Sequence, residues 1–313
     1  MFKRILFPLL LFCGKLWAQD PIFTQFYANP LYLNPAFAGS ARCPRFILNY
    51  RNQWPGIQGT YVTYSASFDR HVDAIQGGFG LLATSDNAGA GVLKTTNFSA
   101  VYSYLLTVNR HFSMRFGFQA TYFQKSIDWS KLTFGDMIDA RRGFIYDTQE
   151  EQKLKSKSNV DFSAGVLGYS KNYFFGFAAH HITQPDEGLI GTSKLPVKFT
   201  AHAGAIVPVG DKGNQTSVSP NILYQQQQNF HQLNLGLYVN KWPFVMGLWY
   251  RTEDAAILLI GVQQHKFKIG YSYDVTISKL SNVTYGSHEL SFALQLECKP
   301  TKKKFRGDSC PSF

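Results

Sequence analysis

Strict alternation of apolar and small or polar residues is the feature that most constrains the fold of this chain. A β-strand points successive side chains to opposite faces, so an apolar face appears in the sequence at every second residue. In residues 267–275, Phe, Ile, Tyr, Tyr and Val alternate with Lys, Gly, Ser and Asp, and residues 112–122 and 289–296 alternate in the same way. No stretch of comparable length shows the period of an amphipathic helix. The sequence therefore predicts an all-β fold.

The number and length of the alternating segments indicate a membrane barrel. We count about fourteen segments, most of them close to the ~10 residues that a tilted strand needs to cross a bilayer. The segment near Ala256 is ambiguous, because residues 257–260 are apolar on both faces. The predicted strands begin near Phe46, Tyr61, Gly77, Thr96, Phe112, Val160, Tyr173, Val197, Val218, Gln232, Phe244, Ala256, Phe267 and Glu289.

The links between segments alternate in length. Those after even-numbered segments are mostly short, at residues 109–111, 170–172, 210–214, 240–241 and 265–266, whereas several after odd-numbered segments are long, at residues 85–93, 129–159, 183–195 and 278–286. Outer-membrane barrels have short periplasmic turns and longer external loops. The pattern predicts a transmembrane antiparallel β-barrel in the outer membrane, with an even strand number and both termini periplasmic.

Composition separates this prediction from its alternatives. Charged residues make up 16% of the chain and aromatic residues another 16%, whereas a soluble domain usually carries roughly 25% charged residues. The mean hydropathy of -0.16 argues against a helical membrane protein. A secreted β-sandwich or solenoid would also alternate, but strand number, strand length and low charge favour the barrel. Closure is required because unpaired backbone groups in hydrocarbon cost several kcal/mol each.

The N-terminus has the features of an export signal. Lys3 and Arg4 precede an apolar run, and Ala18 offers a small residue at the cleavage point. Cys13 raises the alternative of a lipoprotein, although the bulky Phe12 before it argues against lipidation. The predicted organisation is a signal peptide (1–18), an irregular N-terminal segment (19–44), a barrel (45–297) and a basic periplasmic tail (298–313). Export permits disulfides.

The segment between the signal peptide and the first strand is rich in proline and aromatic residues. Pro21, Pro30 and Pro35 exclude a regular helix or a central strand. Phe26 and Tyr27 are among five aromatic residues that make the segment too apolar for a free tail. We expect it to pack at or in the periplasmic mouth of the barrel; a mobile linker is the alternative.

One motif runs through this segment, made of Asp20, Pro21, Gln25, Phe26, Tyr27, Pro30, Leu31, Tyr32, Leu33, Asn34, Pro35, Ala36 and Gly39. It closely resembles the start of the PorP/SprF family of Bacteroidetes outer-membrane proteins. The resemblance implies a role in the type IX secretion system, in export or surface attachment of particular proteins, including gliding adhesins. It implies as partners a cognate secreted surface protein or its C-terminal sorting domain, and other type IX components including periplasmic proteins.

Three cysteines remain after the predicted cleavage. Cys43 precedes the first strand and Cys298 follows the last, and these strands are neighbours in a closed barrel. A disulfide needs Cα atoms within about 7 Å. We predict a Cys43–Cys298 disulfide, with Cys310 as the alternative partner of Cys43 and free thiols as the other alternative.

We expect no catalytic, cofactor or metal site. His180 and His181 are adjacent, so on a strand they would face opposite ways, and no zinc-site spacing or Gly-x-Ser-x-Gly motif occurs. The formal charge of +11 suggests nucleic acid, but the basic residues are scattered and the chain is exported, so we expect none to bind.

Two basic regions are candidates for contacts. The tail at residues 299–306 either docks an acidic periplasmic partner, contacts lipid headgroups or is simply solvated. The long link at residues 129–159 contacts cargo or lipopolysaccharide, or is a plain surface loop. The predicted function is a non-enzymatic type IX component that binds and anchors, or helps export, a cognate surface or gliding-type protein; the alternative is a passive porin or hydrophobic-compound channel.

Overall fold

The computed structural model describes residues 20–139, 141–149, 154–210, 216–278 and 281–297. Within them, fourteen strands form one antiparallel sheet that closes into a barrel, which confirms the predicted fold. Each strand begins within a few residues of its predicted start. The strands are β1 (Arg45–Gln53), β2 (Tyr61–Val72), β3 (Gly77–Ala88), β4 (Leu93–Thr107), β5 (Ser113–Ile127), β6 (Ser156–Tyr169), β7 (Tyr173–His180), β8 (Lys198–Ala205), β9 (Thr216–Gln227), β10 (Phe230–Lys241), β11 (Phe244–Arg251), β12 (Ala255–Gln263), β13 (Phe267–Thr276) and β14 (Ser287–Gln295).

The barrel closes where its first and last strands pair. Each strand pairs with the next along the chain, and β1 pairs with β14 from Arg45 opposite Gln295 to Gln53 opposite Ser287. No strand edge is left facing lipid in this circuit, as the hydrocarbon environment requires. We call the end at Arg45 and Gln295 the terminal rim and the end at Gln53 and Ser287 the loop rim.

The two faces of the sheet have opposite polarity. Large apolar side chains point outward, for example Phe98, Met246 and Ile260, each about 60% exposed. Inward positions carry small or polar residues such as Ser65 and Thr84, which are buried. A β-sandwich would bury its large apolar face, so this arrangement excludes the sandwich and fits a wall surrounded by lipid.

The longest links lie at the loop rim. They are residues 128–155 and 181–197, and the first contains a small hairpin in which Ile138–Asp139 pairs with Gly143–Phe144. The prediction of a long link at residues 85–93 is wrong, because β3 and β4 continue their ladder as far as Ala88 opposite Leu93. None of the described helices is long and apolar enough to cross a membrane.

Residues 20–40, which we call the plug, lie inside the barrel. The plug contains three short helical turns at Phe26–Ala28, Pro30–Leu33 and Pro35–Phe37, and prolines occupy the first positions of the second and third. The segment is packed in the barrel as predicted. It is not confined to one mouth, however, and runs through the lumen from one rim to the other. Asp20 contacts Gln227 at the loop rim, and residues 38–39 lie near the terminal rim before β1 begins. The linker alternative is wrong.

The apolar core lies between the plug and the inner wall. Phe26 and Leu31 of the plug belong to one buried cluster with Trp249 and Ile257 of the wall. This packing explains the ambiguous run at residues 257–260. Ile257 and Leu259 face the plug, whereas Leu258 and Ile260 are exposed on the lipid side.

Candidate functional site: the plug in the barrel lumen

A cluster of charged side chains fixes the plug near the loop rim. Arg51 of β1 contacts Asp274 of β13 at 2.9 Å and Glu289 of β14 at 3.2 Å, and Arg251 of β11 contacts Asp274 at 3.2 Å. All four side chains are buried on the lumen side of the wall. The Thr24 hydroxyl donates to Asp274 at 2.8 Å and accepts hydrogen bonds from both arginines. Two arginines and two carboxylates therefore surround one plug residue, and a third carboxylate, that of Asp254, contacts Arg251 at 3.1 Å.

The Glu289 carboxylate also binds the backbone of the plug. The Thr24 backbone N–H donates to one carboxylate oxygen at 2.6 Å, and the Gln25 N–H donates to the other at 3.0 Å. The Gln25 side chain donates to the Glu289 carbonyl at 3.0 Å and accepts a hydrogen bond from Ser291 at 2.6 Å. Hydrogen bonds to charged groups are the stronger class, so this residue pair joins the plug firmly to β14.

Two asparagine amides attach the middle of the plug to the wall. Asn34 donates from Nδ2 to the Val166 carbonyl at 3.1 Å, while its Oδ1 accepts the Ala36 N–H at 2.9 Å and caps the third helical turn. Asn29 donates from Nδ2 to the Ser65 hydroxyl of the wall at 3.1 Å. Because buried backbone groups need partners, the Asn34 cap supplies a bond that the short helical turn cannot make for itself.

Glycines in the wall let the plug backbone approach closely. A Cβ added at Gly78 would meet the Ala38 carbonyl, and one added at Gly117 would meet the backbone of Ala36. Gly165 faces the Asn34 amide in the same way.

The terminal end of the plug is held by its carbonyls and by a turn. Gly39 has a φ of +67°, a conformation that favours glycine, and its N–H donates to Asp69 at 2.9 Å. Arg115 donates to the Ala38 carbonyl at 2.9 Å and the Gly39 carbonyl at 3.1 Å. Asp69 also binds Arg45 at 2.9 Å, so the plug is attached where β1 starts.

The loop-rim end of the plug is held by a bridging histidine. The two ring nitrogens of His181 lie 2.8 Å from carboxylate oxygens of Asp161 and Asp20, and Lys198 lies 3.5 Å from Asp20. Burial lowers the pKa of His181, but Asp20 and Asp161 outweigh it and raise that pKa to about 10. Burial raises the pKa of Asp20, but the charges of His181 and Lys198 hold it well below its usual range. The bridging imidazole is therefore charged at neutral pH, and both nitrogens donate.

Aromatic side chains fill the space between these polar anchors. Phe26 packs edge-on against Trp249 with ring centroids 5.1 Å apart, and Tyr27 packs edge-on against Phe174 at 5.4 Å. The Tyr32 hydroxyl donates to the Pro21 carbonyl at 2.5 Å. This hydrogen bond joins the start of the plug to its second helical turn. The lumen is occupied by a packed, hydrogen-bonded segment along its length.

Comparison with known proteins identifies the family. The family model described as "Type IX secretion system membrane protein PorP/SprF" matches residues 16–294. The chain belongs to the PorP/SprF family. It is accordingly an outer-membrane component of the type IX secretion system, and membership implies interaction with other components of that system and with cargo. No curated protein matches the chain.

Several solved outer-membrane proteins are distantly similar. The KdgM porin is 10% identical, with 80% of this chain and 99% of that chain covered and a TM-score of 0.38. Omp33 of Acinetobacter baumannii is 6% identical, with 82% and 99% covered and a TM-score of 0.46. A FadL homologue of Pseudomonas aeruginosa is 12% identical, with 84% and 92% covered and a TM-score of 0.43. Likenesses this distant say nothing about function.

The PorP/SprF motif residues named from the sequence all lie in the plug. Gln25 and Asn34 make its polar anchors, and Asp20 makes its end contact. Leu31 and Ala36 are fully buried. The remaining members are buried or half-buried in the same segment, namely Pro21, Phe26, Tyr27, Pro30, Tyr32, Leu33, Pro35 and Gly39.

The structure describes only one of the cysteines of the predicted disulfide. Cys43 is disulfide-bonded, but Cys298 and Cys310 lie outside the described residues, so the identity of its partner stays a prediction. The ladder between β1 and β14 continues to the hydrogen bond from the Leu296 N–H to the Pro44 carbonyl at 2.8 Å. That register supports Cys298 as the partner.

The expectation that His180 and His181 point to opposite faces is wrong. β7 ends at His180, and His181 adopts a φ of +58°, which turns its ring back toward the lumen. His180 contacts the Leu33 carbonyl at 3.4 Å while His181 bridges two carboxylates. Among the described residues, no group of three or more His, Cys, Asp or Glu is arranged to hold a metal ion.

Sequence reasoning missed the charged cluster. Arg51, Arg251, Asp274 and Glu289 lie on four different strands, and they meet only when the barrel closes. The sequence does contain a signal for these four residues. Each lies at an inward-facing position of its strand, where most residues of this chain are small or uncharged. Charge at that parity indicates a buried ionic partner in the lumen.

Proposed function

We propose that this PorP/SprF protein binds a cognate secreted protein and anchors it at the outer membrane or helps its export, without catalysing a reaction. The observation that supports binding over passive transport is the plugged lumen. Thr24, Gln25 and Glu289 join the plug to the wall through buried, charge-assisted hydrogen bonds. A passive porin or hydrophobic-compound channel needs a continuous path, which a segment held in this way obstructs.

We further propose that the terminal rim faces the periplasm and the loop rim faces the outside. The support is link length: the terminal rim has short turns such as residues 170–172 and 264–266, while residues 128–155 and 181–197 belong to the loop rim. In this orientation Arg141 and Arg142, both exposed in the long loop, face cargo or lipopolysaccharide phosphates. The end of β14 at Gln295 is then periplasmic, while the basic tail predicted at residues 298–313 lies outside the described residues.

Deletion of the gene tests the function. We expect one or a few specific proteins to disappear from the cell surface, and to return when the intact gene is restored. A strain restored with a chain lacking residues 20–40 separates the plug from the barrel, provided that membrane levels of the two chains match. Unchanged surface and secreted proteomes after deletion would contradict the proposal. Altered uptake of small solutes with an unchanged surface proteome would favour the channel instead.

A further inference from the structure

The hairpin in the longest link of the loop rim is held in one shape by its own hydrogen bonds. We call the described residues between 134 and 149 the loop hairpin. The Asp139 carboxylate accepts the Arg141 and Arg142 N–H groups, at 2.9 and 2.8 Å, and so fixes the tip. Its other oxygen accepts the Tyr146 hydroxyl of the second arm at 3.3 Å. The loop hairpin is therefore a formed element, which lowers the entropy lost when a partner binds it.

The loop hairpin lies beyond the hydrocarbon region of the wall. An apolar row of outward-facing residues crosses β4, β5 and β6, and it consists of Phe98, Tyr122 and Val160. The next row toward the loop rim is polar, and it consists of Thr96, Gln124 and Ser158. The lipid-facing band of a barrel ends where the outward residues become polar. Because the loop hairpin follows the end of β5, it is on the water side of that boundary.

The loop hairpin exposes large apolar side chains at this level. Phe144 is 61% exposed, and its neighbours Ile145 and Tyr146 are each about half exposed. Ile138, which pairs with Phe144 across the ladder, is also about half exposed. Grouped apolar side chains in water mark a surface that a partner covers. Since three consecutive residues are exposed, the apolar surface lies on more than one side of the hairpin, and a cleft covers it better than a flat surface does.

Two arginines lie beside this apolar surface. The Arg141 and Arg142 side chains are exposed, and neither guanidinium forms an ion pair with any residue that the structure describes. The Asp139 carboxylate accepts only their backbone N–H groups. A partner that covers the tip must supply acceptors for both guanidinium groups, because a buried charge without a partner is strongly unfavourable. Carboxylates bind guanidinium groups in a bidentate manner, so the tip fits an acidic partner.

The combination of apolar and cationic side chains favours a protein over lipopolysaccharide. Phosphates of lipopolysaccharide would bind Arg141 and Arg142, but its sugars, which lie beyond the hydrocarbon, offer no apolar surface to Phe144 and Ile145. A protein cleft with apolar walls and acidic edges satisfies both kinds of side chain. Aromatic and arginine residues are also the types enriched at protein–protein interfaces and at their hot spots.

We infer that the loop hairpin inserts into an apolar cleft with acidic edges on the cognate surface protein. Phe144 and Ile145 fill the cleft, and Arg141 and Arg142 pair with carboxylates at its edges. The inference rests on the proposed function and on the proposed outward orientation of the loop rim. It adds the place on this chain where the cognate protein binds and the chemistry that recognises it.

The test uses the protein that disappears from the surface of the deletion strain. That protein is purified and its binding to the detergent-solubilised full chain is measured by biolayer interferometry. The double variant Phe144→Ser/Ile145→Ser should bind about tenfold more weakly, which corresponds to about 1.4 kcal/mol. Arg141→Gln/Arg142→Gln should weaken binding by a similar factor and reduce its dependence on salt. Arg141→Lys/Arg142→Lys, which keeps the charge but not the bidentate geometry, should lie between.

Matched changes in the link at residues 181–197 control for general effects. Ile190→Ser removes an apolar side chain that is 64% exposed, and Lys194→Gln removes an exposed charge. Both should bind like the unmodified chain, and heat-modifiable migration confirms that every barrel is folded.

The outcomes separate the inference from the proposed function. Unmodified affinity in the hairpin variants would overturn the inference, and so would a defect seen only with vesicles that contain lipopolysaccharide. Failure of the lost protein to bind the unmodified chain would overturn it as well. In each case the lost surface protein leaves the proposed function standing. If the deletion strain loses no surface protein, the proposed function fails and the inference fails with it.

Discussion

Loss of the Glu289 carboxylate should release the plug at the loop rim. Glu289→Ala leaves the Thr24 and Gln25 backbone N–H groups without their acceptor and removes one of two buried carboxylates that contact Arg51. A buried donor without a partner costs ~1–3 kcal/mol, and breaking a buried ion pair costs ~3–5 kcal/mol. We take about 3–5 kcal/mol as the cost to this contact, because these contributions overlap.

Amide hydrogen exchange measures that cost where it acts. Exchange through local opening reports the free energy of that opening, and 1.4 kcal/mol corresponds to a factor of ten. We expect the Thr24 and Gln25 amides to exchange ~10²- to 10⁴-fold faster in Glu289→Ala than in the unmodified chain. Peptides of β3–β5, remote from the cluster, should keep their protection.

Two variants control this experiment. Glu289→Gln keeps one acceptor oxygen and should give an intermediate rate, while Glu297→Gln removes an exposed carboxylate at the terminal rim and should change nothing at the plug. Heat-modifiable migration on gels confirms that each barrel is folded. If Thr24 and Gln25 exchange equally fast with and without the Glu289 carboxylate in folded barrels, the charged cluster does not hold the plug.

Three further predictions follow from contacts of the plug and from the seam. The pKa of His181 is raised to about 10, so the stabilisation by its charged imidazole is complete below about pH 6.5 and is lost as the pH rises toward 10. The free energy of unfolding measured in urea should fall over this pH range, and a His181→Asn chain should not show the fall. Gly117→Val should displace the plug and cost ~1–3 kcal/mol or more in the same unfolding assay, whereas Gly135→Val, at a position with nothing within 4 Å of an added Cβ, should be neutral. Mass spectrometry of non-reduced peptides should find Cys43 joined to Cys298; alkylation of both thiols without reduction would contradict that pairing.

The barrel was predictable because the alternation that defines each strand can be read within that strand alone. A wall with lipid on one side and a lumen on the other imposes an apolar residue at every second position, and each strand shows this without reference to its neighbours. Strand starts at Tyr61, Gly77 and Phe244 agree with the sequence prediction to the residue. The link at residues 85–93 was predicted too long because polar residues that continue the ladder resemble a loop.

The plug was predictable in kind but not in extent. Its prolines and aromatic residues exclude both regular structure and a free tail, which placed it against the barrel. How far it penetrates depends on contacts such as Asn34 with Val166 and Gln25 with Glu289. These join residues more than a hundred positions apart, and no periodicity records them.

The charged cluster and the turn at His181 depend on three-dimensional closure. Arg51 and Asp274 are paired only because β1 and β13 flank the seam strand β14. His181 was assigned to the wrong face because the prediction placed the next link at residues 183–195 and so continued β7 two residues beyond its end at His180. The alternation of side chains between the two faces of a sheet cannot be extended past the residue where the strand ends.

Single-channel recording in planar bilayers tests the central claim, that residues 20–40 close the lumen. The intact protein should show no sustained ionic current, while a folded barrel lacking those residues should conduct steadily. A steady current of porin size through the intact protein, unchanged when the plug is removed, would contradict the account.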